Sequence, residues 1–278
     1  MAGAFRAAGL PTPDVDARHL LCGLLNISKA GLIAEPDATI GDLASRVADG
    51  AARRLLREPV SRILGCKEFY GRTFRITPDV LDPRPETETV IDLVLDILDS
   101  AGGRNAALRI ADIGTGSGAI LVTLLAELSG ATGVGTDISR AALEVAEENA
   151  LALGVAGRAA FLHTRGLAGI EGAFDIVVSN PPYIATSDIA GLDADVAGFD
   201  PMPALDGGAD GLAIYREIAN EIIGLNRTTW TVLELGIGQL EMVTDIFTNA
   251  AAGPGRLERL TRNDLGGHVR AVAFRHHR

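Results

Sequence analysis

Ile110-Ala111-Asp112-Ile113-Gly114-Thr115-Gly116-Ser117-Gly118 is the stretch on which the fold turns. A short strand-like run meets three glycines at alternate positions, and a helical pattern, Gly118–Leu128, follows. Strand, glycine turn and helix together form the opening unit of an open α/β sheet. Toward the C terminus, Gly133–Asp137, Ala159–His163, Phe174–Ser179 and Thr231–Leu235 read as further strands. Between and after them, Ser139–Leu153, Leu212–Leu225 and Gln239–Ala251 read as helices. Such alternation predicts a largely parallel sheet covered on both faces. Leu257–Thr261 and Val269–Phe274, joined through Gly266-Gly267, complete seven strands as a hairpin at the sheet edge.

Toward the N terminus the pattern becomes helical. Thr12-Pro13-Asp14 supplies an N-cap, a first-turn proline and an acid at the positive end of a helix dipole. Ala17, Leu20, Leu21, Leu24 and Leu25 follow at helical spacing, as do Ile40, Leu43, Ala44, Val47, Ala48, Ala51 and Leu55, before Pro59 closes the segment. Glu68–Thr77 has aromatic and β-branched residues around Gly71, the mark of a hairpin. The expected organisation is a helical bundle over 1–66, a hairpin linker over 67–83 and the α/β domain over 84–278. The α/β domain is expected to open on a prolyl turn that leads into a helix through Val90 to Leu98.

Composition narrows the function. Hydrophobic residues make up 47% of the chain, enough for a real core, and no run of about 18 apolar residues suggests a membrane span. Met1–Asp14 lacks the apolar stretch of a secretory signal. Cys22 and Cys66 are too few for a disulfide framework and have no metal-type spacing. Neither do His163, His268, His276 and His277, so no metal is expected. The 25 Lys+Arg against 36 Asp+Glu leave a net charge of −11, and the only lysines are Lys29 and Lys67. Nucleic-acid binding draws on clustered cations, so this chain is a poor candidate for it. A cytoplasmic location and a monomeric state are the expectations.

The chemistry-bearing residues cluster at predicted strand ends, where ligands sit in open α/β sheets. Gly114–Gly118 is G-x-G-x-G, not the G-x-G-x-x-G of a dinucleotide site. It suits a cofactor without a pyrophosphate, such as S-adenosylmethionine, packed along its amino-acid and ribose portions. Asp137 ends the next strand, where a carboxylate can accept two ribose hydroxyls. The competing reading is an N-cap, but Ser139 already fills that role. After Phe174–Ser179 comes Asn180-Pro181-Pro182-Tyr183. The Asn180 side-chain oxygen and the Pro181 carbonyl offer two acceptors for a planar NH₂ group, and Tyr183 offers a surface to stack on. Asn-Pro alone would be read as a turn that stops a strand. The four residues after an apolar strand and downstream of the glycine turn favour chemistry.

Taken together, these motifs resemble a class I S-adenosylmethionine-dependent N-methyltransferase. Pro83-Arg84-Pro85-Glu86-Thr87-Glu88, Phe199-Asp200-Pro201, Ala204-Leu205-Asp206-Gly207-Gly208 and Asp210-Gly211-Leu212 narrow the resemblance to the bacterial peptide chain release factor glutamine methyltransferases, over nearly the whole chain. The resemblance implies a Rossmann-like seven-stranded sheet and methyl transfer to the glutamine amide of a release factor Gly-Gly-Gln motif. It assigns Gly114, Thr115, Gly116, Ser117, Gly118, Asp137 and Ile138 to the cofactor, with Asn180 beside it. Asn180, Pro181, Pro182 and Tyr183 would hold the amide, and Arg84, Pro85, Glu86 and Thr87 would line the pocket. Asp82 departs from the family, which commonly has an apolar residue there. Thr164 and Arg165 stand where the family often shows an acid and an aromatic, so adenine contact falls to Arg165. Three other readings compete: a base-modifying nucleic-acid methyltransferase, a ribosomal-protein glutamine methyltransferase and a catalytically silent scaffold. Charge disfavours the first, the prolyl motif the second and the intact site motifs the third. Glycine spacing disfavours a nicotinamide dehydrogenase.

Overall fold

A computed structural model describes residues 1–35, 38–224, 230–251 and 257–276. The end of the expected helix at Leu225, and His277, lie outside the described residues. The N-terminal part comprises α1 (Ala2–Ala7), α2 (Pro13–Leu25), α3 (Lys29–Ala34), α4 (Ala44–Leu55) and α5 (Val60–Leu64). Their apolar stripes meet in a core of Phe5, Leu10, Ala17, Leu20, Leu24, Val47 and Ile63. Thr12 sits at the N-cap of α2, yet its hydroxyl donates to Asp16 Oδ1 at 2.8 Å instead of capping a backbone N–H.

The hairpin pairs β1 (Cys66–Phe69) with β2 (Arg72–Arg75), so pairing begins one residue before the expected linker boundary. Tyr70 and Gly71 form its turn, both at positive φ (49° and 69°), as a two-residue hairpin connection demands. Asn149 ties this hairpin to the glycine turn. Its Oδ1 accepts from Arg75 N–H at 2.7 Å, and its Nδ2 donates to Ser117 O at 2.9 Å and Arg75 O at 3.1 Å.

The second part alternates: α6 (Glu88–Ser100), β3 (Arg109–Ile113), α7 (Ala119–Glu127), β4 (Thr132–Asp137), α8 (Arg140–Ala152), β5 (Ala159–His163) and β6 (Ile176–Ser179). It continues through α9 (Ala194–Ala197), α10 (Ala213–Gly224), β7 (Trp230–Glu234), α11 (Leu240–Ala250), β8 (Leu257–Asn263) and β9 (Val269–His276). The strands form one seven-stranded sheet in the order β5-β4-β3-β6-β7-β9-β8. Strands β3 to β7 run parallel, and β9 and β8 are antiparallel at the edge, as the sequence predicts. One apolar layer lies on each face. Val90, Leu121 and Val178 belong to one, and Phe174, Tyr215 and Phe247 to the other.

This strand order sets the site. The chain builds β3, β4 and β5 outward in one direction, then returns to place β6 against the other side of β3. That reversal opens a crevice beyond the strand ends. The register makes it specific. Ile113 pairs with both Thr136 and Ser179, and Ser179 pairs with Leu233. The next residues, Asp137, Gly114, Asn180 and Glu234, therefore emerge side by side.

Candidate active site

The crevice holds a cavity of about 580 Å³, within the usual range for a small-molecule site. Gly114, Thr115, Gly116, Ser117, Asp137 and Ile138 line one end, and Thr87, Asn180 and Pro182 line it as well. Of the residues expected to act together, these share one space. Gly118 lies behind it as the N-cap of α7, packed against Ala146 and Val122. Pro181, in the same loop as Asn180, is buried and does not line the cavity. Arg84, Pro85, Glu86 and Tyr183 are not among the lining residues. Arg84 turns to Asp200, and the Tyr183 hydroxyl donates to Glu234 Oε1 at 3.4 Å.

The glycine turn is shaped for close approach. Gly114 and Gly116 both hold positive φ, 71° and 55°, with nothing within 4 Å of where a side chain would begin. Gly116 N–H donates to Asp137 Oδ2 at 3.0 Å and Ser139 N–H to Oδ1 at 2.8 Å. These two bonds fix the plane of the carboxylate at the cavity wall. Ser139 meanwhile caps α8 through its own hydroxyl, accepting from Ala142 N–H at 3.2 Å. Asp137 is thus free of capping duty.

The charges of the wall identify the kind of ligand it suits. Among the described residues, Asp79, Asp137, Glu217 and Glu221 line the cavity against one cation, Arg165. Arg165 is itself held by Glu217 through two bonds, at 2.9 and 2.7 Å. A phosphate would meet repulsion there, whereas a sulfonium cation with a ribose diol finds carboxylates and open backbone. The residues present fit S-adenosylmethionine. Arg165 contributes to the wall as an Arg165–Glu217 pair, not as a free guanidinium.

The Asn180–Tyr183 loop is clamped from beneath. Gln239 Nε2 donates to Tyr183 O at 2.9 Å, Ile184 N–H to Leu205 O at 3.1 Å and Gly207 N–H to Ile184 O at 2.8 Å. A Cβ on Gly207 would come within 2.7 Å of Pro182 O, so that close packing requires glycine. The Ala204–Gly208 motif therefore serves the loop as a backbone platform.

Sequence reading missed Glu234. It is 1% exposed, and its Oε2 accepts from the Thr87 hydroxyl at 2.6 Å. Thr87 Oγ1 in turn accepts from Asn180 Nδ2 at 3.2 Å. The signal was present: an acid closes the apolar run Thr231-Val232-Leu233, as Asp137 closes its own strand.

Two buried acids have perturbed equilibria. Burial pushes Glu234 up to about 7, opposed by the Thr87 hydroxyl, Arg270 and Tyr183. Burial likewise pushes Asp112 up to about 7, opposed by the Thr115 hydroxyl at 2.7 Å. Between about pH 4 and pH 7 the folded chain then holds protons that the unfolded chain has released. The stability due to these acids is complete below about pH 4 and is lost as pH rises through about 7. Glu234 contributes about 3 kcal/mol and Asp112 about 4 kcal/mol across that window. Urea unfolding should show the chain weakening from pH 5 to pH 8, with a visibly smaller decline in Asp112→Asn.

Comparison with known proteins agrees with this geometry. The PrmC N-terminal domain family matches residues 1–65, and the methyltransferase small domain family matches residues 88–192. Human methyltransferase 10 domain containing protein superposes with a TM-score of 0.55 at 17% identity, covering 82% of this chain and 98% of that one, a likeness of fold. The release factor glutamine methyltransferase of Moorella thermoacetica is 38% identical over 97% of this chain and 94% of its own. That of Bradyrhizobium diazoefficiens is 43% identical over 99% of this chain and 92% of its own. Identity at this level along nearly the full length of both partners places the chain in the release factor glutamine methyltransferase family.

Proposed function

We propose that this protein transfers a methyl group from S-adenosylmethionine to the side-chain amide nitrogen of the glutamine in the Gly-Gly-Gln motif of peptide chain release factors. The observation that carries the reading is the row of strand ends. It sets Asp137, the glycine turn and Asn180 beside one another around one cavity. Bound there, S-adenosylmethionine supplies an electrophilic methyl carbon on a positively charged sulfur. Asp137 holds the ribose diol and the glycine turn receives the amino-acid portion.

A primary amide nitrogen is a weak nucleophile because its lone pair is delocalised into the carbonyl. Asn180 Oδ1 and the Pro181 carbonyl accept its two N–H groups and set its plane. The bound cofactor would supply the methyl carbon and keep the C–S electron pair, so the amide nitrogen, held by these two acceptors, would become positive. The two acceptors then bind more strongly than in the ground state, which is what lowers a barrier. One N–H proton leaves to solvent. Neither loop carries a His or Lys, so the residues supply alignment and polarity rather than a dedicated base. Arg84, bound to Asp200, and Tyr183, bonded to Glu234, support the site from outside the cavity wall.

The protein acts in the cytoplasm, as a monomer, on a protein rather than a nucleic acid. The acidic balance of the chain supports the last point. Among the described residues, no helix is long and apolar enough to cross a membrane.

The direct test is incubation of purified release factor with labelled cofactor, followed by peptide mass spectrometry, with a structured RNA as the control. One added methyl on the Gly-Gly-Gln glutamine is the expected result. Label in the RNA alone would overturn the reading. Asp137→Ala should weaken cofactor binding about tenfold to a hundredfold, the worth of hydrogen bonds to a charged group, as read by titration calorimetry.

A further inference from the structure

We propose that Glu234 and Thr87 form a buried relay that decides which end of the Asn180 amide faces the cavity, and so makes the site accept an N–H donor. The inference deepens the functional reading above and rests on it. Both are positioning residues, since neither is argued to touch the reacting atoms.

The protons available to these groups fix the direction of each bond. A Thr hydroxyl has one hydrogen, and an ionised carboxylate has none to give. Glu234 Oε2 lies 2.6 Å from Thr87 Oγ1, so that hydrogen goes to Glu234. The Thr87 oxygen is left as an acceptor toward Asn180, and at 3.2 Å the group that satisfies it is the Asn180 NH₂. With Nδ2 committed to Thr87, Oδ1 is the amide atom available to the cavity that Asn180 lines. A reversed amide would present a donor, and a substrate NH₂ would meet N–H against N–H.

The relay is built into the sheet. Ser179 pairs with Leu233, which fixes Asn180 and Glu234 as neighbours, and Thr87 is 3% exposed at the end of the prolyl turn, just before α6. Other groups hold the carboxylate in place. Tyr183 donates to Oε1 at 3.4 Å, and the Tyr215 hydroxyl on α10 donates to the Glu234 backbone oxygen at 2.8 Å. Arg270 on β9 favours the charged form, and Glu86 in the prolyl turn opposes it. A buried carboxylate is expensive to keep, and an apolar residue would pack this strand end at lower cost.

The relay carries a pH signature. When Glu234 is protonated it can donate to Thr87, whose hydrogen is then released toward Asn180, and the amide loses its imposed polarity. Activity should therefore rise as pH passes through about 7, where Glu234 ionises. A glutamine amide does not titrate in that range, whereas Asp112, bonded to Thr115 of the glycine turn, does, so it is the Glu234→Gln variant that ties the rise to Glu234.

The experiment measures methylation of a release factor by the full-length chain and its Thr87→Val, Thr87→Ser and Glu234→Gln variants. Thr87→Val should lower kcat about tenfold to a hundredfold, Thr87→Ser should recover most of that loss, and calorimetric affinity for the cofactor should stay unchanged in both. Glu234→Gln should abolish the rise in kcat near pH 7. Thr87→Val with wild-type kcat, or a Glu234→Gln variant that keeps the rise, would overturn the relay while leaving the methyltransferase reading intact. If Glu234→Gln does not fold, the comparison of Thr87→Val with Thr87→Ser decides. A wild-type chain that methylates no glutamine overturns the functional reading itself, and the relay with it.

Discussion

Asn180→Ala should cost about a hundredfold to a thousandfold in kcat, equivalent to about 3 to 4 kcal/mol of transition-state stabilisation. The residue stands at the end of β6, level with Asp137 and Gly114, and its Nδ2 is already engaged by Thr87. In the proposed transfer its Oδ1 would meet, without further reorganisation, a nitrogen that becomes positive. Truncation removes one of the two proposed acceptors and leaves the Pro181 carbonyl as the other. Single-turnover incorporation of labelled methyl into release factor measures the loss. Calorimetric cofactor affinity should barely move, because the glycine turn and Asp137 remain. A variant that retains wild-type kcat would remove Asn180 from the site.

The largest effect on stability is expected from Asp200→Ala. Asp200 lies in the segment between α9 and α10, yet it binds partners in α5 and in the Asp82–Arg84 stretch. Its Oδ1 takes Arg62 Nη2 at 2.7 Å and the Asp82 N–H at 3.3 Å, and its Oδ2 takes Arg84. The Arg62 side chain is 4% exposed and also donates to Val80 O at 2.6 Å and to Thr77 O. Removing the carboxylate strands a buried guanidinium, which typically costs about 3 to 5 kcal/mol. The thermal midpoint should fall by roughly 10 °C. Pro201, Pro203 and Ala204 line the cavity just beyond Asp200, so cofactor affinity should weaken in the same variant. An unchanged midpoint with unchanged affinity would show that the N-terminal part and the cavity wall are not joined through this residue. The parallel bridge from Arg54 to Asp16 and Asp195, both at 2.8 Å, is a second tie between α4 and the α9 segment.

The buried carboxylates Asp112 and Glu234 expose a tension between stability and activity. Raising the pH through about 7 ionises Glu234, which favours the proposed polarity of Asn180 while weakening the fold. Such opposition is common where a site is built from groups the interior would otherwise reject.

The order of strands and helices was legible in the chain because periodicity and glycine turns are local signals. The glycine turn, Asp137 and the Asn180–Tyr183 loop each follow a strand, and strand ends are visible as changes in residue type. Register is not local. Whether Thr136, Ile113, Ser179 and Leu233 align depends on hydrogen bonds between distant strands, and that alignment alone brings Glu234 beside Asn180. The roles of Arg84, drawn away to Asp200, and of Gly207, packed under Pro182, likewise rest on contacts more than 20 residues apart in the chain. Hydrophobic patterning and turn chemistry, carried by neighbouring residues, thus specify the scaffold and the list of reactive loops. The polarity of the site comes from proton-sharing among side chains that only the closed sheet brings within hydrogen-bonding distance.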